Sequence, residues 1–111
     1  MQTIDRETLK RTLDAGNDVA ILNVLPKDAY GKEHIRGSEN IPVDDADFEQ
    51  KVEGMIKSKD KSVVVYCAST DCPKSGIAAE KLEKAGFTHV QAYEGGMQDW
   101  TDAGYPVDGT A

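Results

Sequence analysis

The sequence predicts an α/β fold in which a parallel β-sheet is covered by helices on both faces. Three observations carry that reading. Residues 19–24, 62–66 and 89–93 are short runs rich in β-branched and aromatic residues, nearly all apolar, as strands buried on both faces are. The segments between them carry apolar residues at helical spacing, Phe48, Val52 and Ile56 among them. Strand-like and helix-like segments also alternate at the spacing that strand–helix–strand crossovers need.

In chain order, Asp5 is placed to cap the first helix, and Ile4 before it can pack on Leu9 at the fourth helical position. Leu9 and Leu13 continue one face, and Gly16 after Ala15 stops the helix. Residues ahead of Ile4 offer a short first strand. After the strand at 19–24, Pro26 suits the first turn of a short helix running through Tyr30 and ending at Gly31. Residues 37–42 are too polar for a central strand, and Pro42 fits a strand end or a sheet edge. Asp44, Asp45 and Asp47 crowd the start of the next helix and Lys57 and Lys59 its end, both favourable to the helix dipole. Phe48, Val52, Met55 and Ile56 form its inward stripe, with Met55 read as packing rather than as a cofactor ligand. A helix from about Ser75 to Ala85 follows the strand at 62–66, with Ala78, Leu82 and Ala85 on one face. Gly86 then takes the left-handed position, and Phe87 after it packs back on Leu82. Residues 89–93 form the last strand. Glu94-Gly95-Gly96 is a sharp turn, residues 97–102 a short helix bearing Trp100, and Gly104-Tyr105-Pro106 an exit turn.

At 111 residues the chain reads as one domain, residues 1–111, with a single core. A net charge of −7 and a pI near 4.7 argue against nucleic acid and anionic membrane surfaces as partners. No apolar run approaches the roughly 20 residues of a membrane span. The polar start, Met-Gln-Thr-Ile-Asp-Arg-Glu, is unlike a signal peptide, and two cysteines in one loop do not make a disulfide framework. The expectation is a monomer in the reducing cytoplasm.

Chemistry concentrates where the strand at 62–66 ends. Cys67 follows it directly, then Ala68, Ser69, Thr70, Asp71, Cys72, Pro73, Lys74 and Ser75 lead into the next helix. A loop between a strand's carboxyl end and a helix N-terminus can turn its N–H groups inward, and open α/β sheets bind ligands there. A thiol in that position ionises more readily, and the thiolate is the nucleophile. The plainer reading of Cys67, a small buried hydrophobe at a strand end, stands beside it.

Three segments together resemble the rhodanese-like domain family. Residues 21–24 followed by 33–42 (EHIRGSENIP) are similar to its first signature, Val63-Val64-Val65-Tyr66-Cys67 to its active-site strand and nucleophile, and residues 93–100 (YEGGMQDW) with Gly104-Tyr105-Pro106 to its closing signature. The resemblance implies a five-stranded parallel sheet with helices on both faces. It also implies that Cys67 carries a persulfide between a sulfur donor and a nucleophilic acceptor. On that reading the N–H groups of Ala68, Ser69, Thr70, Asp71, Cys72 and Lys74 stabilise the charged sulfur, while Pro73 has none to offer. The hydroxyls of Ser69, Thr70 and Ser75 either assist or cap the helix, and Lys74 supplies positive charge. Donor and acceptor are small sulfur compounds, with a protein thiol as a further acceptor; no cofactor and no metal is called for.

The chain departs from the family pattern in three places. The family's strand-end Asp and Arg are Asn23 and Leu25, so a charge pair beside the loop is lost as a unit. Seven residues separate Cys67 from Ser75, a longer loop than the family's common one. No arginine follows Arg36, and Lys74, a point charge without a bidentate fork, is the one loop cation. Phosphatase chemistry of the Cys-x5-Arg type is unsupported, because position 73 is proline.

The rivals are a non-catalytic rhodanese-like binding module, a thiol–disulfide redox protein using Cys67 and Cys72, and a zinc site from those cysteines with His34 and His89. His34 reads better as a structural hydrogen-bonder and His89 as a surface residue. Cys72 is either a resolving or relay thiol, keeping the higher pKa of the pair, or a residue that merely faces solvent or packs under the loop.

Overall fold

The strand apolar on both faces, β5 (Ser62–Tyr66), lies at the centre of the sheet in the computed structural model, which describes residues 2–109. Val63 and Val65 enter one core layer and Val64 and Tyr66 the other, each at most 1% exposed. Fully burying a side chain of this kind stabilises the fold by about 1.5–3 kcal/mol, against about 0–1 for an exposed ion pair. The strands therefore hold the molecule together, and its many surface ion pairs contribute little.

Around β5 the elements follow in order: β1 (Gln2–Thr3), α1 (Arg6–Asp14), β2 (Val19–Asn23), α2 (Lys27–Lys32), β3 (His34–Ile35), β4 (Glu39–Asn40) and α3 (Phe48–Ile56) before it. After it come α4 (Lys74–Lys84), β6 (Val90–Tyr93), α5 (Gly96–Asp102) and β7 (Val107–Asp108). The main sheet has five strands in the order β1-β6-β5-β2-β4, every neighbouring pair parallel. β5 runs beside β2 from Val19↔Ser62 to Asn23↔Tyr66, and beside β6 from Val63↔Val90 to Tyr66↔Tyr93. One face packs on α3 and α4 through Phe48, Val52, Ile56, Ala78, Ala79 and Leu82; the other meets Leu9 of α1 and Met97 and Trp100 of α5. Among the described residues no helix is long and apolar enough to cross a membrane.

Local rules account for most ends. The Asp5 carboxylate accepts the Thr8 N–H at 2.8 Å, a cap of the kind whose loss costs about 1 kcal/mol. Gly86 adopts a φ of +101°, and the Phe87 and Gly86 N–H groups return to the Leu82 and Glu83 carbonyls at 3.0 and 3.1 Å. That is the predicted left-handed ending, with Phe87 and Leu82 in one core layer.

Two local expectations are corrected. Gly31 does not end α2, which continues to Lys32. The His34 ring stacks on Tyr30 at 3.8 Å and its Nδ1 meets the Tyr30 carbonyl at 2.8 Å, drawing the chain straight from helix into β3. The aspartates do crowd the start of α3, with Asp47 at its N-cap, although their carboxylates turn to Lys51 and Lys74. Lys57 closes α3 from the left-handed position, φ 69°, and Lys59 pairs with Glu53 of α3 at 2.8 Å while also donating to Ala85 O at 2.6 Å. Finally, residues 90–93 are not the last strand: β7 pairs antiparallel with β3 in a separate ribbon.

The buried hydroxyl of Tyr66 ties the end of β5 to β3 and the turn after it. It accepts the Ile35 N–H at 3.0 Å and shares a 2.8 Å hydrogen bond with Ser38 Oγ. Burial holds that phenol above its ordinary pKa, so it stays neutral. Tyr66→Phe leaves the Ile35 N–H without its acceptor, and the expected cost is about 1–3 kcal/mol. Urea unfolding of the two proteins measures it; equal midpoints would show that the network carries no net stability.

Candidate active site

Strand parity decides where Cys67 points. Val63, Val65 and Cys67 alternate onto the face that packs against α3 and α4, and Cys67 is 0% exposed within that layer. Its carbonyl turns the other way and accepts the Met97 N–H at 2.9 Å, while the next carbonyl, Ala68, accepts the Gln98 N–H at 2.9 Å. Gly96 makes this approach feasible: a Cβ there would sit 2.5 Å from Cys67 O and 2.9 Å from Ser69 N, and its φ of +65° also favours glycine. The first N–H groups of α5 thus grip the start of the loop. α5 is itself anchored by the Tyr93 hydroxyl donating to Asp99 Oδ2 at 2.6 Å, Arg6 donating to Asp99 Oδ1 at 3.2 Å, and Trp100 Nε1 donating to Pro106 O at 2.8 Å.

Past Ala68 the loop closes on itself. The Cys72 N–H returns to Ser69 O at 3.1 Å, and the Asp71 N–H approaches Ser69 Oγ at 3.4 Å. Those two N–H groups, expected to face the sulfur, are spent inside the turn. The groups that do meet sulfur divide between the cysteines. The Ser75 N–H and hydroxyl, in the first turn of α4, lie beside the Cys67 sulfur and favour its thiolate. The Ala68 and Lys74 N–H groups do the same for the Cys72 sulfur. Ser69 is half-buried and Thr70 and Asp71 exposed on the loop's outer side; Ser75 is 2% exposed.

The two thiols meet inside this loop. The Cys67 S–H donates to Cys72 O at 3.4 Å and lies within hydrogen-bond reach of the Cys72 sulfur. Burial pushes the Cys67 thiol up, and its bond to Cys72 adds to that, outweighing the Ser75 contacts. Burial works against the Cys72 thiolate too. It is outweighed there by the bond from Cys67, the Lys74 and Ala68 N–H groups and the Lys74 charge, so Cys72 falls below the ordinary thiol range. Burial thus disfavours the Cys67 thiolate, while the donors beside Cys72 favour its own. Pre-placed donors surround Cys72, whereas Cys67 sits one layer deeper in apolar packing.

Lys74 is not a free cation. Its ammonium binds Asp44 at 2.5 Å, which raises its pKa and neutralises much of its charge. The zinc reading fails on geometry. His34 stacks on Tyr30 and His89 lies exposed with Nδ1 2.9 Å from Thr88 Oγ1, and among the described residues no group of three or more His, Cys, Asp or Glu converges. Sequence reasoning missed Gly96, Met97, Gln98 and Asp44. A Gly-Gly pair opening a helix is a visible sign of close backbone approach. Asp44 leads into α3 and Lys74 opens α4, thirty residues apart in sequence, and no local pattern announces that they meet.

The asymmetry is directly measurable. At neutral pH iodoacetamide should label Cys72 first, because it is half-buried and the loop donors favour its thiolate, and Cys67 at a comparable rate only in the unfolded chain. Fragment-ion mapping of the labelled protein reads the order, and prior labelling of Cys67 would refute the charge assignment.

Residues 5–103 match the family described as the rhodanese-like domain. Over 106 residues the chain is 34% identical to the HTH-type transcriptional regulator Rv0324 of Mycobacterium tuberculosis, covering 95% of this chain but 44% of that protein. It is 32% identical over 78 residues to the thiosulfate sulfurtransferase PspE of Escherichia coli, covering 70% of each. The crystal structure of a thiosulfate sulfurtransferase from Pseudomonas aeruginosa superposes on it with a TM-score of 0.88 at 26% identity, over 100% of this chain and 21% of that one.

Proposed function

The chain belongs to the rhodanese-like domain family, and from that premise we propose that it is a sulfurtransferase holding sulfane sulfur as a persulfide on Cys67. The observation that carries the proposal is the position of the Cys67 sulfur. It sits at the carboxyl end of the central strand, facing the Ser75 N–H and hydroxyl in the first turn of α4. A persulfide anion formed there gains two pre-placed donors and the positive end of an 11-residue helix. Transfer then consists of attack on the outer sulfur by a nucleophilic acceptor, a small thiol or cyanide-like anion or a protein thiol, with Cys67 sulfur as the leaving group.

The rival reading, a rhodanese-like binding module without catalysis, draws on the absence of any loop arginine. The paired thiols oppose it, since a docking surface has no use for two sulfurs inside one cradle. Mixing the reduced protein with inorganic polysulfide separates the two. The expected result is a gain of sulfur in the intact mass, lost on adding cyanide, with fragment ions placing the resting sulfur on Cys67. No gain, or a resting sulfur found elsewhere, refutes the assignment.

Donor charge follows from the same site. A thiosulfate dianion approaches a chain of net charge −7 whose one nearby cation, Lys74, is already bound by Asp44. Thiosulfate should therefore give a kcat/KM roughly tenfold or more below that of polysulfide. Asp44→Asn should narrow the gap by freeing Lys74. Steady-state rates at low and moderate salt test this, and equal efficiencies would show that loop N–H groups alone suffice for a dianion.

A further inference from the structure

Cys67 is poorly placed to meet a donor. Its side chain is 0% exposed, sealed between β5 and the α3/α4 layer, and its own S–H is turned towards Cys72. Cys72 is half-buried, so one side of it meets solvent while the other meets Cys67. The Ala68 and Lys74 N–H groups, expected to serve the Cys67 sulfur, serve Cys72. Of the charged groups around it, Lys74 lies close and is tied to Asp44, and Asp71 precedes it on the loop's exposed side.

We propose that Cys72 is the loading thiol of the site: it takes sulfane sulfur from a polysulfide or low-molecular-weight persulfide at the surface and hands it inward to Cys67. The inference rests on the reading that the loop handles sulfane sulfur, and adds a second catalytic thiol and an order of events. In the first step the Cys72 thiolate attacks the outer sulfur of the donor R–S–SH. A bond forms between that sulfur and the Cys72 sulfur, the R–S bond breaks, and RS⁻ leaves with the electron pair. In the second step the Cys67 sulfur attacks the same outer sulfur. The bond to Cys72 breaks, and the departing Cys72 sulfur, beside Cys67 in the same loop, takes the proton that Cys67 gives up. Cys72 returns as a thiol, Cys67 becomes the persulfide, and its sulfur gains the Ser75 N–H and hydroxyl. Overall one sulfane sulfur passes from the donor, which leaves as RS⁻, to Cys67, and Cys72 ends with the proton Cys67 gave up, so no further oxidant or reductant is needed.

The surroundings of the pair favour this direction. The half-buried Cys72, whose thiolate the loop donors favour, is the one the donor can reach and the better leaving group in the internal step. The deeper thiol reacts only when its proton has a neighbour to receive it. A donor at the surface meets Cys72 before it meets Cys67, which the loop and the α3/α4 layer cover.

Rapid mixing of the whole chain with inorganic polysulfide, acid quench and fragment-ion mapping tests the order. In the unsubstituted protein sulfur should appear on Cys72 first and move to Cys67. Cys67→Ala should stop with the sulfur on Cys72. Cys72→Ala, and Cys72→Ser as a second variant should the first fold poorly, should load Cys67 about tenfold more slowly or worse. Their loading rate should also rise at higher pH than that of the unsubstituted protein, because the thiol being ionised is then the buried one. A merely structural Cys72 would not move that profile. Loading of Cys67 in either Cys72 variant at the unsubstituted rate and with the same pH profile overturns the proposal while leaving the sulfurtransferase reading intact. Failure of the unsubstituted chain to take up any sulfur overturns both.

Discussion

Two backbone hydrogen bonds, Met97 N–H to the Cys67 carbonyl and Gln98 N–H to the Ala68 carbonyl, fix the point from which the loop departs. They exist because Gly96 has no Cβ, and because α5 is held against β6 and α1 by Asp99 and against the exit turn by Trp100. Without them the chain beyond β5 would leave the sheet with no partner for its first two carbonyls, and the direction of the loop would be set only by its own turn. With them, the Cys67 sulfur is forced by strand parity into the α3/α4 layer, and the remaining loop must fold back over it to reach α4. The placement of Cys72 beside Cys67 is a consequence of that return path.

The same constraint explains why the two thiols differ so much although they share a loop. A sulfur pinned at the end of a buried strand loses water on every side, and only the first turn of α4 offers it donors. A sulfur on the returning limb stays at the rim, where the N–H groups of Ala68 and Lys74 are left over from both ends of the loop. Desolvation raises a thiol and hydrogen bonds to the thiolate lower it, so position in the loop, more than residue type, sorts the pair. Depth also separates the two thiols: Cys67 is fully buried, and Cys72 is half-buried.

Much of this was legible in the sequence. The runs around Val64 and Ile21 announce buried parallel strands, Asp5 and Gly86 mark helix ends correctly, and Cys67 follows the central strand as the family pattern requires. What was not legible depends on long-range geometry. Which loop N–H groups face which sulfur depends on the Ser69–Cys72 turn, and Lys74 is tied by a residue thirty positions away, Asp44. The Gly31 misreading has the same root: a glycine is a permissive residue, not an obligatory stop, and the Tyr30–His34 stack decides the matter. β7 escaped notice because two residues carry no periodicity at all; it exists only because β3 offers an edge to pair with.

Asn23 and Leu25 show how the loop's electrostatics become dependent on a single contact. At the end of β2 the Asn23 carboxamide accepts the Leu25 N–H at 2.9 Å, and Asn40 Nδ2 donates to the Asn23 and Leu25 carbonyls at 3.1 and 3.0 Å. These neutral bonds hold the strand end and the β4 edge without charge, although Asn23 Nδ2 is buried without a partner. A charged pair in that position would set a fixed field beside the thiols and would cost heavily if half of it were lost. Here the local field comes from helix ends, loop N–H groups and one lysine, and the lysine's share depends on whether Asp44 holds it. Because Asp44 is exposed, an anion arriving at the rim competes with it for Lys74. The ionisation of Cys72 is then sensitive to what is bound nearby, in a way that a buried, permanent charge pair would not allow.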